Sequence, residues 1–108
     1  MTFRRGRLSD AGAAPAAGEV VERVFERAGV AIEHILSGTL DAPVPYRQDE
    51  DEWVVLLTGS ARLRIGGERI ELTAGDWLLL PAGVDHELEQ TEPGSRWLAV
   101  FLEPEPPG

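Results

Sequence analysis

Apolar and polar side chains alternate along much of this chain with the two-residue period of β-strands. Leu63 and Ile65 are interleaved with Arg62 and Arg64, and Ile70 and Leu72 with Arg69, Glu71 and Thr73, as expected of strands with one buried face. Gly66-Gly67, between these segments, tolerates positive φ at both central positions of a hairpin, and Pro93-Gly94 marks another turn. Eight strands are predicted, over residues 30–36, 44–48, 53–58, 61–65, 69–73, 77–80, 86–91 and 97–102. Short strands punctuated by glycine and proline give an all-β sandwich or barrel.

The segment before Gly29 reads differently. Val20, Val21, Val24 and Phe25 fall at helical spacing, with Glu19, Glu22, Arg23 and Glu26 opposite them. Pro15 suits a first helical turn, and Gly29 suits the residue after a helix. An amphipathic helix over 15–28, lying on the barrel wall, is therefore expected. Residues 1–14 show little periodicity and are expected to be a flexible lead-in. The tail 103–108 holds three prolines and is expected to be disordered. The folded domain is then 15–102.

Composition narrows the functions open to such a domain. A chain of 108 residues supports one core. It has no cysteine, which removes disulfides, thiolate metal sites and cysteine nucleophiles together. No apolar run reaches the length of a membrane span and no secretory h-region follows Met1, so a cytoplasmic location is expected. The net charge is −9, and Arg4, Arg5 and Arg7 lie in the lead-in, so the folded part is more acidic still. An acidic body repels phosphate backbones, and no nucleic-acid partner is expected. Ser37, Ser60 and Ser95 have no nucleophile elbow or evident histidine partner. No phosphate-binding glycine loop is present.

Two spacings carry chemistry. Gly75, Pro81, Gly83 and His86 form a glycine, five residues, Pro-x-Gly, two residues and a histidine. Glu52 and Gly59 form a glutamate, six residues and a glycine, separated by an apolar strand. These match the second motif of the cupin superfamily and the latter half of its first, and residues 30–102 resemble a small single-domain cupin. Two departures stand out. The asparagine that closes the second motif is Gln90, and the paired histidines of the first are replaced, by Tyr46 and Gln48 or, with one more residue of spacing, by Pro45 and Arg47. The resemblance implies an eight-stranded jelly-roll β-barrel around a small-ligand site.

Strand parity sorts the candidate residues. His86, Leu88 and Gln90 share one face, with Glu87, Glu89 and Thr91 on the other. Tyr46, Gln48 and Glu52 have the parity of Val54 and Leu56. Tyr46, Gln48, Glu52, His86 and Gln90 are thus expected to converge inside the barrel, with Trp97 at its rim. Cupins commonly hold a divalent metal with three histidines and a glutamate. Carried over to this chain, Glu52 and His86 remain as strong donors, Gln48 offers an amide oxygen and Tyr46 a phenol. That set is compatible with weak binding of zinc, iron, manganese or nickel, or with a metal-free network of hydrogen bonds. His34 either supplies a replacement ligand or, the preferred reading, sits on the surface. Of the run Asp49-Glu50-Asp51-Glu52, only Glu52 should turn inward. Trp53 and Trp77 face outward, under the helix or in a homodimer contact.

Three functions stay open on this reading. One is a small-molecule enzyme, metal-assisted and of oxidoreductase or isomerase type, with Glu52 and His86 as its catalytic candidates. A metal-free version would use His86 as an acid/base next to Glu52. Another is a metal-free module that binds or senses a small ligand without turnover. The third is a purely structural dimer.

Overall fold

The segment expected to be a helix is a strand. In the computed structural model, which describes residues 2–106, β1 (Glu19–Arg27) forms an antiparallel hairpin with β2 (Val30–Ser37) through the turn at Ala28-Gly29. The register runs from Glu19 opposite Ser37 to Arg27 opposite Val30, with a bulge between Arg23 and Phe25. That bulge explains the misleading periodicity. One extra residue at Val24 reverses the alternation halfway along the strand, so Val20, Val21, Val24 and Phe25 take on a helix-like spacing. The β-branched side chains of the three valines also favour an extended backbone.

The other strands follow the expected pattern: β3 (Val44–Tyr46), β4 (Asp51–Thr58), β5 (Ser60–Ile65), β6 (Glu68–Thr73), β7 (Trp77–Leu80), β8 (His86–Thr91) and β9 (Ser95–Leu102). With β1 and β2 they make nine among the described residues, rather than eight. They form a five-stranded sheet in the order β1-β2-β9-β4-β7 and a four-stranded sheet in the order β3-β8-β5-β6. All strand pairs are antiparallel, in a jelly-roll arrangement.

The core lies between the two sheets. Val54, Leu56, Trp97 and Ala99 of the larger sheet meet Ala61, Leu63, Leu72 and Leu88 of the smaller. Burying such side chains contributes about 1.5–3 kcal/mol each for the larger ones. On the opposite side of the smaller sheet, Arg62, Arg64 and Arg69 gather round Glu89 at 3.1–3.5 Å. Gly59 joins β4 to β5 at φ +91°, and a Cβ there would lie 2.1 Å from Ser95 Oγ. Close approach as well as backbone conformation therefore requires glycine at this end of the first motif.

The lead-in holds a 3-10 turn at Ala11–Ala13, and Ser9 donates to Glu22 Oε2 at 2.8 Å. Residues 103–106 carry no regular structure. The remainder of the expected tail, Pro107 and Gly108, lies outside the described residues, as does Met1. Among the described residues no helix is long and apolar enough to cross a membrane.

Candidate functional site

The turn after β7 brings the two motifs together. Gly83, at φ +79°, donates its N–H to the Gln48 carbonyl at 2.8 Å. The Ala82 N–H donates to Asp51 Oδ1, also at 2.8 Å. The Pro81-Ala82-Gly83 turn is thereby tied to the loop that leads into β4, placing His86, at the start of β8, beside Glu52. Asp51, one of the acidic run, serves as an anchor for this turn, while Asp49 and Glu50 are exposed.

Glu52 and His86 are both buried, and His86 Nε2 lies 3.9 Å from Glu52 Oε1. Gln48 Nε2 donates to the same Glu52 oxygen. Burial, assisted by the like charges of Glu33, Glu19 and Glu50, pushes the Glu52 carboxyl up from 4.5 to about 7, against the Gln48 hydrogen bond. His86 Nδ1 lies 3.2 Å from the Val84 carbonyl. A carbonyl oxygen only accepts, so a proton is assigned to Nδ1, and in the neutral ring Nε2 is left as a lone pair. The Tyr46 ring stacks on the imidazole, with centroids 5.6 Å apart and planes 19° from parallel.

Tyr46 does not bond to Glu52. Its hydroxyl donates to Glu19 Oε1, and burial followed by that acidic neighbour raises the phenol above its ordinary value. Ser37 donates to Glu19 Oε2 at 2.6 Å and accepts from Trp97 Nε1 at 3.1 Å. Trp97 is buried in the cavity wall rather than at its rim. The cavity measures about 310 Å³ and is lined by Glu19, Glu33, Glu52, His86, Tyr46, Arg47 and Gln48 among largely apolar neighbours. Exposed Val21 and Tyr46 frame its mouth.

Glu19 and Glu33 are the cavity residues the sequence reading missed. The helical spacing expected over 15–28 puts Glu19 on a polar face, away from any cavity. The available signal was the Ala28-Gly29 turn between two apolar stretches, which reads equally as a hairpin. In that hairpin Glu19 pairs with Ser37 and Glu33 with Arg23.

Two further expectations are corrected. Gln90 is exposed and lies outside the cavity. A bulge between Arg62 and Leu63 in the β5–β8 pairing reverses the parity of β8 after Leu88. Thr91 turns inward instead and donates to the Gly38 carbonyl at 2.9 Å. His34 is neither a cavity ligand nor a surface residue. It is fully buried on the opposite side of β2 from the cavity, its Nδ1 2.8 Å from Glu22 Oε1 and its Nε2 accepting from Arg96 Nε at 3.2 Å. Trp53 and Trp77 do face outward, 6.1 Å apart, with no helix over them among the described residues, and Trp77 is 59% exposed.

The donor set fits a tightly held transition metal poorly. One imidazole nitrogen and one carboxylate converge, Gln48 turns its amide nitrogen to that carboxylate, and the Tyr46 hydroxyl is engaged by Glu19. Among the described residues no group of three or more His, Cys, Asp or Glu side chains is arranged to hold a metal ion. Tight sites ordinarily supply three or four such donors.

A family model described as a cupin domain matches residues 31–101. An uncharacterised protein of Streptomyces coelicolor is 36% identical over 69 residues, which span 64% of each chain. The 3-hydroxyanthranilate 3,4-dioxygenase of Rattus norvegicus is 40% identical over 58 residues, 54% of this chain but only 20% of that enzyme. Among solved structures, a candidate mannose-6-phosphate isomerase from Ralstonia eutropha superposes with a TM-score of 0.75 at 30% identity, over 91% of this chain and 99% of its own. A second, from Desulfitobacterium hafniense, gives a TM-score of 0.73 at 20% identity, over 93% of each chain, and shows likeness of fold alone.

Proposed function

The chain belongs to the cupin superfamily, and on that premise we propose that it is a small-molecule-binding cupin centred on Glu52 and His86 and working without a tightly held metal. The observation that carries this reading is a buried carboxylate and a buried imidazole, 3.9 Å apart, inside a cavity of about 310 Å³. That size lies at the lower end of the range for organic ligands. Tyr46, Gln48 and Trp97 supply the surrounding polar and aromatic wall. Residues 15–102 form the functional unit. Divalent-metal binding by Gln48, Glu52 and His86 is weak on this reading, since two strong donors leave most of a coordination sphere to water.

A thermal-shift screen of small metabolites, run with and without a chelator, tests the proposal. A ligand should stabilise the protein equally in both conditions, and His86→Ala should abolish the effect. Stoichiometric zinc, iron, manganese or nickel in the purified protein, lost on Glu52→Ala, would overturn it.

A second reading is favoured by a specific observation. A carboxyl held at about 7 beside an imidazole with a free lone pair is suited to moving a proton at neutral pH. Mass spectrometry of the recovered ligand separates the two readings, because a binder returns it unchanged and a proton-transfer enzyme returns an isomer. Self-association is a further part of the proposal. Trp77 and Leu79, 59% and 56% exposed, with Trp53 beside them, present an apolar face suited to a homodimer.

A further inference from the structure

Taking this cavity as the ligand site, we propose that its ligand is a small organic cation, a primary amine on an apolar body. The proposal rests on which hydrogen-bonding groups remain free. His86 Nε2 makes no hydrogen bond among the described residues, its side chain is 6% exposed, and it lines the cavity, where the neutral ring presents it as a bare acceptor. Glu52 receives a single N–H, from Gln48. Glu19 receives two hydroxyl protons, from Tyr46 and Ser37, and has no cationic partner among the described residues. Apart from Arg47 at the exposed mouth, the cavity's own donors are therefore largely committed, since the Trp97 N–H goes to Ser37, while lone pairs remain in excess.

Charge points the same way. Arg23 is held by Glu33 at 2.7 and 3.0 Å, and by Glu26, so it neutralises Glu33 and not Glu19. Arg47 also lines the cavity, but its guanidinium lies 3.6 Å from Asp85 and its side chain is 65% exposed, so its charge is shared with that carboxylate and with solvent at the mouth. A carboxylate ligand would meet Glu19 and Glu52 with few donors to receive it. A neutral alcohol could supply one proton but no charge. An ammonium group supplies three N–H donors and the missing positive charge. Ile35, Val54, Leu63, Leu80 and Leu88 form an apolar wall for the rest of the molecule.

Three probes of similar shape test the inference: benzylamine, benzyl alcohol and benzoate, titrated by calorimetry and by NMR of the Trp97 indole and His86 ring signals. Benzylamine should bind at least tenfold more tightly than benzyl alcohol, and benzoate should not saturate. Glu19→Gln should lower benzylamine affinity about tenfold, the effect of losing one partly buried charge pair, and leave benzyl alcohol unchanged. Glu52→Gln provides the same comparison should the first variant fold poorly. If benzyl alcohol or benzoate binds as tightly as benzylamine, the ligand class is wrong while the cavity remains a binding site. If none of the three perturbs the cavity signals, the inference and the binding reading fall together.

Discussion

Replacing Glu52 by glutamine should remove a specific pH dependence of folding. The Glu52 carboxyl is raised from 4.5 to about 7, chiefly by burial. A carboxyl raised in the folded state binds its proton more tightly there than in the unfolded chain. Its favourable contribution is thus complete below about 4.5 and is lost as pH rises through about 7. At about 1.36 kcal/mol per pH unit, the gap between the two values corresponds to about 3 kcal/mol. About 2.5 kcal/mol of that falls between pH 5 and pH 8. Glutamine has similar size, keeps an oxygen to accept the Gln48 N–H, and cannot ionise. Urea denaturation of both chains at pH 5 and pH 8 measures the difference directly. Glu52→Gln should gain about 2.5 kcal/mol on the parent chain over that interval. Parallel stability profiles for the two proteins would refute the claim that Glu52 ionises against burial and neighbouring carboxylates.

Gly59→Ala should lower stability by about 1–3 kcal/mol, because the added carbon meets Ser95 Oγ at a backbone conformation unsuited to alanine; a thermal melt suffices to measure it. His34→Ala should cost about 3 kcal/mol in urea denaturation, since it empties a fully buried position and leaves Arg96 without its acceptor. An unchanged midpoint would mean that the His34 network contributes nothing to folding. Trp77→Asp should convert the proposed homodimer to a monomer in light scattering without lowering the melting temperature of the monomer; an already monomeric parent chain would eliminate that face as a self-contact.

Strand positions were legible in this sequence wherever alternation was unbroken. β5, β6, β7 and β8 each carry a clean two-residue pattern or a tight turn at a fixed offset, and their bounds differ little from those expected. Two errors of placement, those of the β1 segment and of Gln90, lie at bulges. In β1 the extra residue turned a strand into an apparent helix and hid Glu19, and in the β5–β8 pair it sent Gln90 outward and Thr91 inward. Parity is a local rule, and a single inserted residue inverts everything beyond it. Glu52 and His86 were legible because each lies a short, unbulged distance from a turn. The neighbours of His34 were not, since Glu22 and Arg96 lie 12 and 62 residues away along the chain.

The departures from the first motif change the electrostatics of the cavity as well as its ligand count. Neutral imidazoles at positions 46 and 48 would leave their lone pairs free for a cation. Tyr46 and Gln48 instead carry hydrogen-bond donors, and each directs one to a carboxylate, Glu19 and Glu52 respectively. These are compensating contacts. A phenol hydroxyl and an amide N–H reduce the cost of keeping two acidic groups within one apolar enclosure, but neither brings positive charge. The Glu52 value near 7 reflects the same balance, because burial and like charge outweigh the one hydrogen bond it receives. An added positive group would therefore be favoured twice, by direct attraction and by releasing the carboxylate from that penalty. A ligand's own charge is one source of this compensation, and the proposed preference for amines over acids rests on it.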